Sequence, residues 1–347
     1  MGSEITIRDV ARKAGVSPST VSRVLSRTVT GVSISAVTRE KILAVCDELK
    51  FQPNVHAQRF FTKRSKVVGF VIPPRTKLKG VEYTFTDYNL GELLSGLEEA
   101  ITAAGYRLTV LVADENFIRE KNHVRLIRDK SLDGLLLWGL EVDETYIQDL
   151  REEETFPYIL LNGSVGNLEV NAVTADNRQG SYAIMEHLLN IGHRKIAYVQ
   201  GPDNCSVSVD RFKGFHRALR KFGLSPRDKW LVTGDFMEES GYQAGKKLLA
   251  MKTRPTAILA ANDMMAIGVM KGAKEMGLKI PDDVALAGGD GIPLAGYVEP
   301  ELTTFKVPMY ELGVRGVKRL LETIDQGATG PIREVLKTEL IIRRSTG

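Results

Sequence analysis

From residue 67 onward, short continuous apolar runs alternate with amphipathic helical stretches, and this alternation narrows the fold more than any other feature of the 347-residue chain. Strand candidates are Val67–Ile72, Arg107–Val112, Leu132–Leu137, Tyr158–Leu161, Ala172–Thr174, Ile196–Gln200, Ala257–Ala260 and Val284–Ala287. Most lack the in–out alternation of a half-solvated strand and suit parallel strands covered on both faces. Between them, apolar residues recur at helical spacing, as in Leu90–Ala104, Gln179–Asn190 and Arg211–Phe222. The expected fold class here is α/β, with doubly wound parallel sheets whose ligands sit at the carboxyl ends of strands.

The first 66 residues follow another pattern. Thr6 is a good helix N-cap with Asp9 three residues on, and Val10, Ala11 and Ala14 form an apolar stripe that Gly15 can close in a left-handed conformation. A second helix starts at once, with Ser17 as N-cap, Pro18 in the first helical position, and Val21, Val24 and Leu25 on one face. Two short helices joined by Ala-Gly-Val-Ser make a helix-turn-helix. A third helix is expected from Ser35, with Val37, Ile42, Val45 and Leu49 inward. The N-terminal part is therefore all-α.

Charge is distributed accordingly. Residues 1–66 hold 12 Lys/Arg against 5 Asp/Glu, a net +7, so the chain's overall +4 leaves −3 for the remainder. A basic head suits a polyanionic partner; the alternative is a three-helix bundle with a merely solvated basic face. If the second helix enters a major groove, Ser19 and Arg23 read base edges and Pro18 meets a thymine methyl, while Ser17, Thr20 and Ser22 hold phosphates.

Thr6–Leu25 (TIRDVARKAGVSPSTVSRVL) resembles the DNA-binding head of the lactose-repressor (LacI/GalR) family, and Thr38-Arg39-Glu40-Lys41 and Phe51-Gln52-Pro53-Asn54 continue the pattern. One departure is a longer stretch, Arg27–Ile34, between the second and third helices. In the family the segment after the head folds on the operator, and paired copies drive apolar wedges into the minor groove. The resemblance thus adds Thr6, Asn54, Ala57 and Phe60 to the DNA-contacting set, with Phe60 where the family usually has Leu; aromatic wedges are physically competent. The other reading of residues 52–66 is a plain linker.

The resemblance extends through the body, in Asp176-Asn177 with Gly180, Gly192-His193-Arg194, Arg211 with Gly214, Pro255–Ala266 (PTAILAANDMMA), Leu302-Thr303-Thr304 and Ile342-Arg343-Arg344-Ser345. It implies two lobes like those of a periplasmic sugar-binding protein, closing on a small-molecule effector, and a homodimer on a pseudo-palindromic double-stranded DNA operator. The expected domains are a head over 1–51, a hinge helix or linker over 52–66, and an effector-binding and dimerisation domain over 67–347. Within the last, lobe one covers about 67–170 and 301–331, and lobe two about 171–300 and 332–347, with crossings near 170, 300 and 331. Arg211 is expected between a strand and a helix, with Asn262 and Asp290 at strand ends, and together they suit a polyol. Trp138 either stacks on the ligand or packs in the core, and Tyr88 lies in the loop after the first strand. Lys306 either admits an acidic ligand or is solvated.

Rival functions find less support. The chain has no G-x-G-x-x-G fingerprint, no phosphate-binding G-x-x-x-x-G-K-[ST] loop and no H-E-x-x-H, and its five histidines are scattered. No enzyme activity, cofactor or metal is therefore expected. An exported solute-binding protein is opposed by the charged N-terminus and the basic head. Cys46 and Cys205 lie far apart, no run approaches 18 apolar residues, and a cytoplasmic location without membrane attachment is expected. No leucine-heptad tail follows the last strand pattern, which favours a dimer over a tetramer. The expectation is a transcriptional repressor of carbohydrate-metabolism genes, controlled by a sugar or sugar derivative.

Overall fold

The computed structural model describes residues 5–25, 34–51, 64–74, 76–78, 81–83, 87–139, 146–152, 156–165, 169–327 and 332–347. The chain divides into two compact units, residues 1–66 and 67–347. The expected hinge residues Asn54, Ala57 and Phe60 lie outside the described residues.

The head contains α1 (Ile7–Ala14), α2 (Pro18–Leu25) and α3 (Ala36–Glu48). The Asp9 carboxylate accepts from the Thr6 N–H at 3.0 Å and the Thr6 hydroxyl at 2.7 Å, and Gly15 ends α1 at φ 68°. Ser17 Oγ accepts from the Thr20 N–H at 3.1 Å, and Ser35 caps α3 through the Thr38 N–H. Val10, Ala11, Ala14, Val21, Val24, Ile42, Val45 and Cys46 form the core. Val37 departs from expectation, being 76% exposed. It lies five residues before Ile42, about 140° round the helix at 3.6 residues per turn, so Cys46 takes the buried place instead.

The body opens with β1 (Val67–Ile72), a short hairpin of β2 (Thr76–Leu78) and β3 (Val81–Tyr83), α4 (Tyr88–Ala103), β4 (Arg107–Val112), α5 (Glu115–Arg119) and α6 (Asn122–Arg128). Next come β5 (Gly134–Trp138), α7 (Tyr146–Glu152), β6 (Tyr158–Leu161), β7 (Ala172–Ala175) and α8 (Asn177–Asn190). Then follow β8 (Ile196–Gln200), α9 (Ser206–Lys221), β9 (Leu231–Thr233), α10 (Glu238–Leu249), β10 (Ala257–Ala260), α11 (Asp263–Glu275) and β11 (Ala285–Ala287). The described chain finishes with β12 (Thr304–Lys306), α12 (Met309–Gln326), β13 (Arg333–Leu336) and β14 (Glu339–Ile341).

Two parallel sheets result, one per lobe. The first has the order β13-β7-β6-β5-β1-β4 and the second β11-β10-β8-β9. Every residue of β1 is buried, with Val68, Phe70 and Ile72 in one core cluster and Val67 and Val71 in another, as a strand covered on both faces requires. Helices α4 and α12 meet so closely that a Cβ on Gly96 would lie 2.1 Å from the Tyr310 carbonyl oxygen; only glycine permits that approach.

The lobe boundaries differ from expectation. Strand β7 pairs with β6, and β13 pairs with β7 in register Arg333–Ala172, so both belong to the first lobe. The chain therefore leaves that lobe after Ala175 and again after Leu336, rather than near 170 and 331. Strand β12 pairs antiparallel with β14 and bridges Asp290 through Lys306, which moves the middle crossing from near 300 to the segment between Lys306 and Met309.

Candidate functional site

Two regions carry chemistry. In the head, Thr6, Ser17, Pro18, Ser19 and Arg23 are exposed, Thr20 and Ser22 are half-buried, and Val21 and Val24 point into the core. Burying one face of α2 thus leaves its other face as a polar surface. Ser17 Oγ lies 2.7 Å from Ser19 Oγ and 2.8 Å from Thr20 Oγ1, so three hydroxyls cluster at the N-terminus of α2. Hydroxyls and free backbone N–H groups at a helix start can both bind phosphate oxygens. An exposed ion pair joins Lys13 of α1 to Glu48 of α3.

In the body, a cleft of about 340 Å³ opens at the carboxyl ends of strands from both lobes, lined by Pro73 after β1, Trp138 at the end of β5, Asn162 after β6 and Asn262 after β10. That is where a doubly wound sheet places its ligand. Arg211, Asn262, Asp290 and Trp138 all line it, so four expected effector residues come together. Tyr88 does not join them: it is 54% exposed at the start of α4, and its neighbours Asp87 and Asn89 line the cleft instead.

Arg211 organises the site. It sits inside α9, which starts at Ser206, and not ahead of the helix as the sequence pattern suggests. Its side chain is 3% exposed, and each nitrogen donates a hydrogen bond: Nε to Asn177 Oδ1 at 3.0 Å, Nη1 to the Ala261 carbonyl at 2.6 Å, and Nη2 to Asp290 Oδ1 at 2.6 Å. The guanidinium also lies 5.0 Å from the centre of the Phe305 ring. Asn177 in turn donates to Asn162 Oδ1 at 2.9 Å, linking the second lobe to the end of β6 in the first. Asp290 holds φ 108°, a conformation that side chains disfavour. Backbone bonds on both sides impose it, from Asp290 N–H to the Phe305 carbonyl at 3.0 Å and from Val307 N–H to the Asp290 carbonyl at 2.9 Å.

Asn262 is largely committed to structure. Its Oδ1 caps α11 through the Met265 N–H at 3.0 Å, and its Nδ2 donates to the Phe236 carbonyl at 2.8 Å. Behind the cleft, burial and then the neighbouring Asp290 push the Asp263 carboxyl up to about 8, while it accepts from the Thr304 hydroxyl at 2.6 Å. Lys306 is absent from the cleft lining and pairs with Glu92 at 3.4 Å.

The sequence reading passed over Asp87, Asn89, Asn162, Asn204, Cys205, Ser206 and Phe236. Asp87 had a legible signal, as the N-cap of a long helix in the loop after a strand; it accepts from the Asn89 N–H at 2.7 Å. Water reaches its side chain, yet the cleft walls displace enough solvent to push its carboxyl up to about 6, with Asp290 adding repulsion. Asn162 also left a mark, a polar residue closing an apolar strand, with φ 50°. Among the described residues no helix is long and apolar enough to cross a membrane.

Residues 6–54 match a family profile described as bacterial regulatory proteins, lacI family, and residues 185–346 match a periplasmic binding protein-like domain. The chain is 31% identical to the HTH-type transcriptional repressor PurR of Photobacterium profundum, over 98% of both chains. It is also 31% identical to catabolite control protein A of Priestia megaterium, over 99% of both. Among solved structures, a lac repressor dimer bound to operator and the anti-inducer ONPF superposes with a TM-score of 0.84 at 28% identity, covering 99% of each chain. A complex of the transcriptional regulator CelR with cellobiose gives 0.73 at 28% identity, covering 98% of this chain and 99% of that one.

Proposed function

The chain belongs to the LacI family of bacterial regulatory proteins, and from that premise we propose that it is a sequence-specific DNA-binding repressor whose two-lobed body binds a sugar or sugar derivative as effector. The observation that carries this reading is the pairing of a polar, exposed α2 face with a cleft at strand ends built around Arg211 and Asp290. Relatives along the whole length include repressors, and related structures include a dimer on its operator and a sugar complex. We read the protein as a homodimer that places paired heads on two half-sites, acts in the cytoplasm and performs no catalysis. Effector binding between the lobes changes their closure, and it alters operator affinity only to the extent that the two closure states differ in effector affinity.

On this reading α2 lies in the major groove, with Ser19 and Arg23 on base edges and Ser17, Thr20 and Ser22 on phosphates. Pro18 contributes an apolar contact, and Thr6 adds a contact at the start of α1. Asn54, Ala57 and Phe60 belong to the proposed minor-groove contact by resemblance alone. The domain assignment is likewise a proposal: head over 1–51, hinge over 52–66 and effector-binding body over 67–347.

The direct test is binding of the purified protein to its own upstream DNA at several salt concentrations, with and without a panel of sugars. Selective, salt-sensitive binding that one compound changes is the expected result. Loss of selectivity for every genomic fragment would overturn the regulator reading. For the base-reading role, Arg23→Ala is expected to weaken operator binding roughly tenfold to a hundredfold, in keeping with about 1–3 kcal/mol for a base-edge contact. Binding to unrelated DNA should fall far less. Equal losses on both DNAs would assign Arg23 to the phosphate backbone instead.

A further inference from the structure

The charge balance of the cleft narrows the kind of ligand it holds, granted the effector-cleft reading above. Among the described residues that line it, Asp87, Arg211 and Asp290 are the charged ones. Arg211 spends one N–H of each nitrogen on Asn177, Ala261 or Asp290; its remaining N–H groups can still meet a ligand, but its charge is already matched by Asp290. Lys306, for which the sequence leaves both an acidic ligand and plain solvation open, is paired with Glu92 outside the lining. Among the described lining residues, two carboxylates therefore face one guanidinium.

Both carboxylates keep acceptor capacity. Asp290, 7% exposed, uses Oδ1 for Arg211, and Asp87 uses Oδ1 for the Asn89 N–H. Among the described residues the second oxygen of Asp290 receives no hydrogen bond; the Asn89 side chain also reaches the Asp87 carboxylate, which keeps further lone pairs for a donor. We propose that the effector carries an amine, which seats its positive charge against Asp87 and Asp290, so that among sugar-like compounds this cleft selects an amino sugar over its neutral and phosphorylated counterparts. A neutral polyol leaves the carboxylates repelling each other, and a phosphate adds a third negative charge. A cation supplies the countercharge that the described lining residues, with one guanidinium, do not. Trp138 and Phe236 in the same lining add aromatic faces, which suit both a sugar ring and an adjacent cation.

Acid should weaken such binding. The Asp87 carboxyl sits near 6, with Asp290 and Arg211 the charged groups facing it, and its protonation removes half of the acidic pair. Affinity for a protonated amine is thus full above this value, as long as the ligand keeps its own proton, and falls as pH drops through it.

The test is calorimetric titration of the full-length protein at pH 7 with D-glucosamine, D-galactosamine and D-mannosamine, each beside its parent hexose and the hexose 6-phosphates. At least one amine should bind about tenfold or more tightly than its parent, the scale of a hydrogen bond to a charged group, and should weaken from pH 7 to pH 5. Asp87→Asn and Asp87→Ser both retain a competent helix cap. Each should abolish most of the preference, with folding checked by circular dichroism. A neutral hexose or a phosphate binding as tightly as the amine overturns the proposal and leaves the effector cleft standing, as does an amine preference that survives both substitutions. If no compound binds while operator binding is intact, the amine proposal and the sugar reading fall together and the DNA-binding function remains.

Discussion

Replacing Arg211 with methionine is expected to destabilise the body by roughly 3–5 kcal/mol, the cost of stranding one partner of a buried ion pair. The expectation follows from what Arg211 leaves behind. Asp290 would keep a charge that is 8% exposed with its countercharge gone, and the Asn177 side chain and Ala261 carbonyl would each lose a donor. Asp290 also holds its disfavoured φ of 108° in that surrounding. The thermal transition of residues 67–347 should fall by about 10 °C for a domain of this size. The double variant Arg211→Met/Asp290→Asn should recover a substantial part, because no buried charge remains unpaired. If the double variant is as unstable as the single one, the ion pair is not what Arg211 contributes. If Arg211 and Asp290 also hold the effector, as proposed, the double variant regains stability while effector binding stays lost.

This network also shows how far the sequence reaches. The eight expected strands all occur, because a buried parallel strand announces itself as an unbroken apolar run, as Val67–Ile72 does. Strands β9, β12, β13 and β14 escaped the same reasoning. They are short, and β13 and β14 mix charged with apolar residues in Arg-Glu-Val-Leu and Glu-Leu-Ile; their pairing is decided by distant partners such as Ala172–Ala175. The start of α9 was misjudged for a related reason. Its first turns read Ser-Val-Ser-Val-Asp, where β-branched residues alternate with serine, so helical periodicity is visible only from Arg211 onward. Tyr88 is the residue that the resemblance points to in the loop after the first strand, but it stands exposed at the start of α4, while the capping residue beside it lines the cleft. Individual site residues were therefore legible where they end a strand, as Asn262 and Asp290 do. Asn162 ends a strand in the same way, but its link to Asn177 was illegible, because only the meeting of the two lobes creates it.

The head offers the sharpest functional contrast, through Val21→Asp. Val21 is fully buried at the centre of a core built from only a few side chains of α1, α2 and α3. The substitution removes an apolar side chain whose burial contributes about 1.5–3 kcal/mol and sets in its place a carboxylate that must be desolvated with no counterpart, at several kcal/mol more. A core in a domain this small supplies only about 3–5 kcal/mol of net stability, so the head should unfold rather than adjust. Specific operator binding should then disappear, and the helical circular dichroism signal should drop by the share that α1, α2 and α3 contribute. The thermal transition of the body should stay at its wild-type temperature, because none of the three head helices belongs to that unit. Val21→Ala is the graded control: it leaves a cavity without a charge, costs about 1–3 kcal/mol, and should weaken operator binding without erasing it. Retention of full operator affinity by Val21→Asp would mean that α2 does not pack through Val21, and the assignment of its opposite face to DNA would fall with it.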